Sequence, residues 1–274
     1  MSITAAEVNK LRQQTGAGMM DCKKALEETS GNFEEAIVYL RKKGAKISDK
    51  RADKENKEGV VIATTTSDYR RGVIIRLACE TDFVAKGDDY VAFAKQIAEK
   101  AANDKPSDIE SLKAIKLNDL TIGEMIDELC GKIGERIVLN SYEQIDGDYV
   151  ASYVHAGNKI GVITAANKSS ADVLKDICMQ IAAMSPLALD ETSVDQATIE
   201  KELEIAKEQI RAEGKPEEIV DKIAQGKLQK FYKESTLIHQ QFVKDGTKSV
   251  KDVLNEADPE LKLTAFRRVQ LGIT

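Results

Sequence analysis

Tryptophan is absent from this chain of 274 residues, proline occurs four times, and aromatic side chains make up 5% of it. A large all-β sandwich draws on aromatic and β-branched residues, so this scarcity points to helices built from Ala, Glu, Lys and Leu. Histidine occurs twice, as His155 and His239, which leaves few candidates for a histidine triad or a metal cage. The four cysteines, Cys22, Cys79, Cys130 and Cys178, lie far apart with no C-x-x-C pair. That spacing supports neither a disulfide framework nor a zinc site, and buried, inert thiols are expected. No apolar run approaches the roughly 20 residues of a membrane span. Residues 1–10 lack the charged-then-apolar layout of a secretory signal. The expectation is a cytoplasmic protein that makes no membrane contact.

Basic residues number 40 and acidic residues 46, a net charge of −6. Nucleic-acid affinity comes mostly from phosphate contacts on a basic surface, which argues against direct nucleic-acid binding as the main activity. The cluster Arg41-Lys42-Lys43 reads as a solvated helix end. Also missing are a phosphate-cradling G-x-x-x-x-G-K-[ST], a G-x-G-x-x-G after a strand, H-E-x-x-H and G-x-S-x-G. No catalytic residue and no metal ligand is assigned, and an enzyme is disfavoured.

Apolar residues at 42% and charged residues at 31% describe a folded chain of roughly two domains. Residues 1–45 read as a module of three short helices. Thr4 with Glu7 and Asn32 with Glu35 supply N-caps; Gly31 and Gly44 supply stops. Val8, Leu11, Met20, Ala25, Leu26, Phe33, Ala36, Ile37 and Leu40 form the inner faces. Residues 46–58 are almost wholly charged or polar and read as a linker, in part helical. Strands are expected over 60–66 and 72–79, and a helix with Tyr90, Ala94, Ile97, Ala98 and Ala101 on one face.

The plan then recurs: a hairpin from strands 149–155 and 160–166, followed by a helix over 171–183. Arg71-Gly72-Val73-Ile74 lies over Lys159-Ile160-Gly161-Val162-Ile163 at an offset of 89 residues, while Gln96-Ile97-Ala98 lies over Gln180-Ile181-Ala182 at 84. The first copy therefore carries five extra residues between strand and helix, within Glu80-Thr81-Asp82-Phe83-Val84-Ala85-Lys86-Gly87-Asp88. Connectors on a rigid scaffold often carry function. The resulting organisation is a first core repeat over 59–146, a second over 147–192, an antiparallel coiled-coil hairpin over 193–233, and a C-terminal module with a final strand over 234–274. Ile199, Leu203, Ala206 and Ile210 give the hairpin its seam, Gly214-Lys215-Pro216 its turn, and Ile219, Val220, Ile223 and Phe231 its return.

Two uninterrupted strings carry a family resemblance. Leu11-Arg12-Gln13-Gln14-Thr15-Gly16-Ala17-Gly18-Met19-Met20-Asp21-Cys22-Lys23-Lys24-Ala25-Leu26 is similar to the N-terminal signature of bacterial elongation factor Ts. Leu77-Ala78-Cys79-Glu80-Thr81-Asp82-Phe83-Val84-Ala85 resembles its second signature, and the order of parts agrees over essentially the whole chain. The resemblance implies an α+β fold: a ubiquitin-associated-like module, a duplicated α/β core with small antiparallel sheets, and the inserted hairpin. It also implies a guanine-nucleotide exchange factor for elongation factor Tu, with the nucleotide and its magnesium held by that partner and no cofactor of the chain's own. By the same resemblance Asp82 and Phe83, flanked by Thr81 and Val84, form the probe that disturbs the partner's magnesium and diphosphate site. From the residues alone, the expectation is that Phe83 and Val84 fold back into the core, since most Phe residues are buried; the family signature and the extra connector residues reverse that preference.

Secondary contacts implied by the resemblance are Met19, Met20, Lys23, Ile133, Gly134, His155, Phe242 and Val243. Each has an ordinary alternative: core for the Met residues and Ile133, solvated surface for Lys23 and His155. The family often has Pro before that Phe, where Gln241 stands here, and this departure bears on the C-terminal contacts. The hairpin is expected either to meet a second copy or a partner domain, or to stand free. Other functional readings are a ubiquitin-associated-type adaptor without exchange activity and a cysteine-dependent enzyme.

Overall fold

A computed structural model of the chain describes residues 3–51 and 54–272. The N-terminal module is α1 (Ala5–Thr15), α2 (Met19–Glu28) and α3 (Phe33–Lys50). Thr4 and Glu7 cap α1 reciprocally: the Thr4 N–H donates to Glu7 Oε2 at 2.8 Å, and the Glu7 N–H donates to Thr4 Oγ1 at 3.3 Å. Val8, Leu11, Cys22, Ala25, Leu26, Ala36 and Leu40 form its core. Two expectations change here. Met20 is 73% exposed, because the inward positions of α2 are Cys22, Ala25 and Leu26, the i, i+3, i+4 stripe. Gly44 does not stop α3, which continues into the expected linker as far as Lys50. A Cβ at Gly44 would collide with the Asp127 carbonyl oxygen, and one at Gly131 would lie 3.4 Å from Gly44 Cα. Gly44 therefore marks a close helix crossing.

The core opens with β1 (Glu58–Thr65), β2 (Arg71–Cys79), the one-turn α4 (Asp82–Ala85) and α5 (Asp88–Asp104). Then come α6 (Ile109–Ala114), β3 (Lys116–Leu117), β4 (Leu120–Thr121), α7 (Ile122–Ile133) and β5 (Val138–Asp146). The second half contains β6 (Tyr149–Val154), β7 (Ile160–Ala166), α8 (Ala171–Met184), and the hairpin α9 (Gln196–Ala212) and α10 (Glu217–Ser235). It ends with β8 (Gln241–Phe242), β9 (Asp245–Ser249), α11 (Val250–Ala257) and β10 (Leu263–Gln270).

Two three-stranded antiparallel sheets, β1-β2-β5 and β10-β7-β6, meet face to face over Val61, Ile74, Ile145, Val150, Ile163 and Val269. Their outer faces are covered by α5 and α7 on one side and by α8 and α11 on the other. The result is four layers with a β-strand interior. The duplication is visible atom by atom. A Cβ on Gly72 would sit 2.6 Å from Val150, and one on Gly161 would sit 2.7 Å from Val61. Both pairs of equivalent residues, 72/161 and 61/150, are 89 apart, so each sheet reserves the same bare site for its counterpart.

In the hairpin, Ala206, Ile210, Val220 and Ala224 are buried together, with Leu203 and Ile223 beside them. Ile219, expected inside, is 40% exposed, since its neighbour Val220 takes the inner position. Gly214 turns the chain at φ +73°.

Candidate functional site

The connector after β2 holds the short α4, whereas the equivalent connection between β7 and α8 has no helix. One turn of helix points its successive side chains in different directions. Ala85 is buried, and Val84 packs half-buried against the first core. Phe83, directed away from both, is 85% exposed. An aromatic ring left in water forgoes about 1.5–3 kcal/mol of burial. Asp82 pairs with Lys86 at 2.6 Å, one turn on; that ammonium hydrogen bond holds the Asp82 carboxyl below its usual range.

Two carboxylates tie this connector to the segment after α7. Glu135 accepts the N–H of Glu80 at 3.2 Å and, from Thr81, the N–H at 3.1 Å and the hydroxyl at 2.7 Å. In return, Glu80 accepts the N–H of Arg136 at 2.7 Å, and its two oxygens share the Arg51 Nη1 donor at 2.8 and 2.7 Å. Burial works against ionising Glu80, but the Arg136 N–H and the Arg51 guanidinium outweigh it, and its carboxyl lies below the ordinary range. Sequence reasoning missed Glu80, Glu135 and Arg51. No spacing rule relates residues that far apart in the chain.

The fold brings most of the sequence-expected residues to one edge. Gly134 caps α7 at φ +81°, just before Glu135, and Ile133 packs half-buried beside the first core. The loop before α2 lies against Lys132, whose side chain a Cβ on Gly16 would meet at 2.7 Å. This sets α2 beside the end of α7, with Met19 55% and Met20 73% exposed. Lys23 is exposed and reaches Glu27 at 3.8 Å. A cleft beneath Phe83 is lined by Glu58, Lys86, Gly157 and Lys159, so the β6–β7 hairpin tip adjoins α4. His155 is exposed at that tip, its Nδ1 3.1 Å from the Tyr153 hydroxyl.

Phe242 and Val243 are placed elsewhere. Phe242 is buried in the core under α8 and is no surface contact in this conformation; the Val243 N–H donates to Gln180 Oε1 at 2.8 Å, and its side chain is 44% exposed. All four thiols are buried and free. Desolvation pushes Cys79 up to about 11 and Cys178 up to about 12, which leaves little nucleophilic thiolate at neutral pH. Among the described residues, no helix is long and apolar enough to cross a membrane.

The family model described as elongation factor TS matches residues 80–273. An elongation factor Ts of Christiangramia forsetii is 51% identical over 273 residues, 98% of this chain and 99% of that protein. One of Cytophaga hutchinsonii is 48% identical over 276 residues, 99% of each chain. One of Clostridium perfringens is 44% identical over 282 residues, 98% of this chain and 93% of its own length. With the family model spanning most of the chain and relatives aligned almost end to end, the chain belongs to the elongation factor Ts family.

Proposed function

We propose that this chain acts in the cytoplasm as a guanine-nucleotide exchange factor for elongation factor Tu, promoting GDP release so that GTP can rebind. It works by binding and performs no bond chemistry. Guanine nucleotide and magnesium belong to the partner, and neither nucleic acid nor membrane is a direct ligand. An exchange factor binds the nucleotide-free partner more tightly than the loaded one, and linkage makes this antagonism reciprocal. A ten-thousandfold loss of GDP affinity needs about 5.5 kcal/mol of differential binding. Burying one Phe supplies about 1.5–3 kcal/mol. Phe83 is not enough alone, and Met19, Met20, Lys23, the end of α7 and His155 supply the remaining contacts.

The observation that carries the reading is a Phe held 85% exposed on a one-turn helix whose next two side chains are anchored. In the complex, the ring enters the GTPase domain and parts packed helices, while Asp82 exchanges its Lys86 pairing for the partner's polar network. Mg²⁺ tolerates little departure from octahedral geometry, so a small shift of its ligands weakens ion and diphosphate together. The decisive experiment is release of fluorescent GDP from elongation factor Tu with and without this chain. Acceleration supports the reading. Binding that ignores the nucleotide state, without acceleration, would instead support the adaptor.

The α9–α10 hairpin, with Ile205 37% and Ile219 40% exposed, is proposed as a contact for a second copy or for a distal domain of the partner. Size-exclusion mass at several concentrations separates the two. A constant monomer ends the idea of self-association.

A further inference from the structure

A four-residue helix cannot hold its own shape. Nucleating the first turn fixes several residues for one or two hydrogen bonds, and α4 has no side-chain cap at Thr81. The direction of Phe83 must therefore be set from outside. On the C-terminal side, Ala85 and Val84 sit in or against the core. On the N-terminal side, the Cys79 thiol donates to the Thr81 carbonyl at 3.2 Å, and the Glu135 carboxylate takes three donors from the two residues that precede the helix. Hydrogen bonds to an ionised acceptor are roughly twice as strong as neutral ones. The reciprocal contacts of Glu80 with the Arg136 N–H and the Arg51 guanidinium keep the Glu135 segment in register with the connector.

We infer that Glu135 is a positioning residue for exchange: it aims the Asp82–Phe83 turn through the backbone of Glu80 and Thr81 and touches neither partner nor nucleotide. The inference rests on the exchange reading above. Misplacing a working group by about 1 Å can cost about a hundredfold in rate, whereas binding contacts elsewhere on the edge stay intact. Loss of Glu135 should therefore lower the exchange rate at saturation more than it raises the concentration for half-maximal effect.

The test compares Glu135→Ala, Glu135→Gln and Phe83→Ala in fluorescent-GDP release over a concentration series. In parallel, chymotryptic nicking after Phe83 and amide exchange at Glu80 and Thr81 are measured in the full chain without its partner. Glu135→Ala should cut the saturating rate about ten- to hundredfold, shift the half-maximal concentration by less than about threefold, speed the nicking and remove the amide protection. Glu135→Gln keeps an acceptor oxygen for both N–H groups and should recover most of the rate. Should Glu135→Ala fail to fold, Thr81→Val removes the 2.7 Å donor alone and should move rate and nicking the same way to a smaller extent. Wild-type nicking, amide exchange and saturating rate in Glu135→Ala would overturn the inference, as would an effect confined to the half-maximal concentration. If Phe83→Ala itself exchanges like wild type, the exchange reading fails instead, and the nicking and amide data still decide what Glu135 holds.

Discussion

Phe83 and Glu80 lie close in sequence and in opposite surroundings: the ring stands in water, while the carboxylate is engaged by Arg51 and the Arg136 N–H. Because Phe83 is so exposed, Phe83→Ala removes little folded-state packing, and its stability should stay within about 0.5 kcal/mol of wild type in thermal or urea unfolding. Glu80 behaves oppositely. Its folded carboxyl lies below the ordinary value of 4.5, so its contribution is fully present above that value and fades as pH falls through the lower folded one. Glu80→Gln should therefore cost about 1–2 kcal/mol near pH 7, and its unfolding free energy should converge on wild type in the acid range. Parallel curves with no convergence would show that ionisation of Glu80 is not what holds Arg51 and Arg136. Raised, buried thiols give a third expectation. Iodoacetamide should leave the native chain essentially unlabelled at neutral pH and label all four cysteines once it is unfolded.

At the scale of elements, the helix face of α5 was legible, because apolar period reports burial directly, and so were the strands expected over 60–66, 72–79, 149–155 and 160–166. Tyr90, Ala94, Ile97, Ala98 and Ala101 are all buried as that period requires. The extra connector residues were legible too, through the difference in offset between the two copies. Gly44 was misread because a glycine late in a helical pattern suits both a stop and a close crossing. What distinguishes them is the Asp127 carbonyl on α7, far away in sequence. The direction of Phe83 was not legible either, since it depends on which side of a single turn Val84 and Ala85 anchor. The paired glycines give an element-scale prediction. Gly72→Ala and Gly161→Ala each press a methyl into the opposite sheet, and each should destabilise by about 1–3 kcal/mol by denaturant unfolding. Markedly unequal losses would argue against equivalent packing of the two repeats.

Across the whole molecule, α3 packs on α7, and Arg51 just beyond α3 grips Glu80. The N-terminal module and the probe thus share one mechanical frame with the first sheet. The β6–β7 hairpin tip meets the same edge from the second repeat, with Gly157 and Lys159 lining the cleft beside Phe83. In the proposed function this edge, rather than any pocket, meets the partner. Under the proposed function, an exposed ring on a firmly held turn opens a neighbour's nucleotide site. The most direct measurement is the saturating rate of fluorescent-GDP release from elongation factor Tu by folded Phe83→Ala beside wild type. Loss of one buried ring at about 1.5–3 kcal/mol predicts a rate lower by about ten- to hundredfold; an unchanged rate would contradict the account.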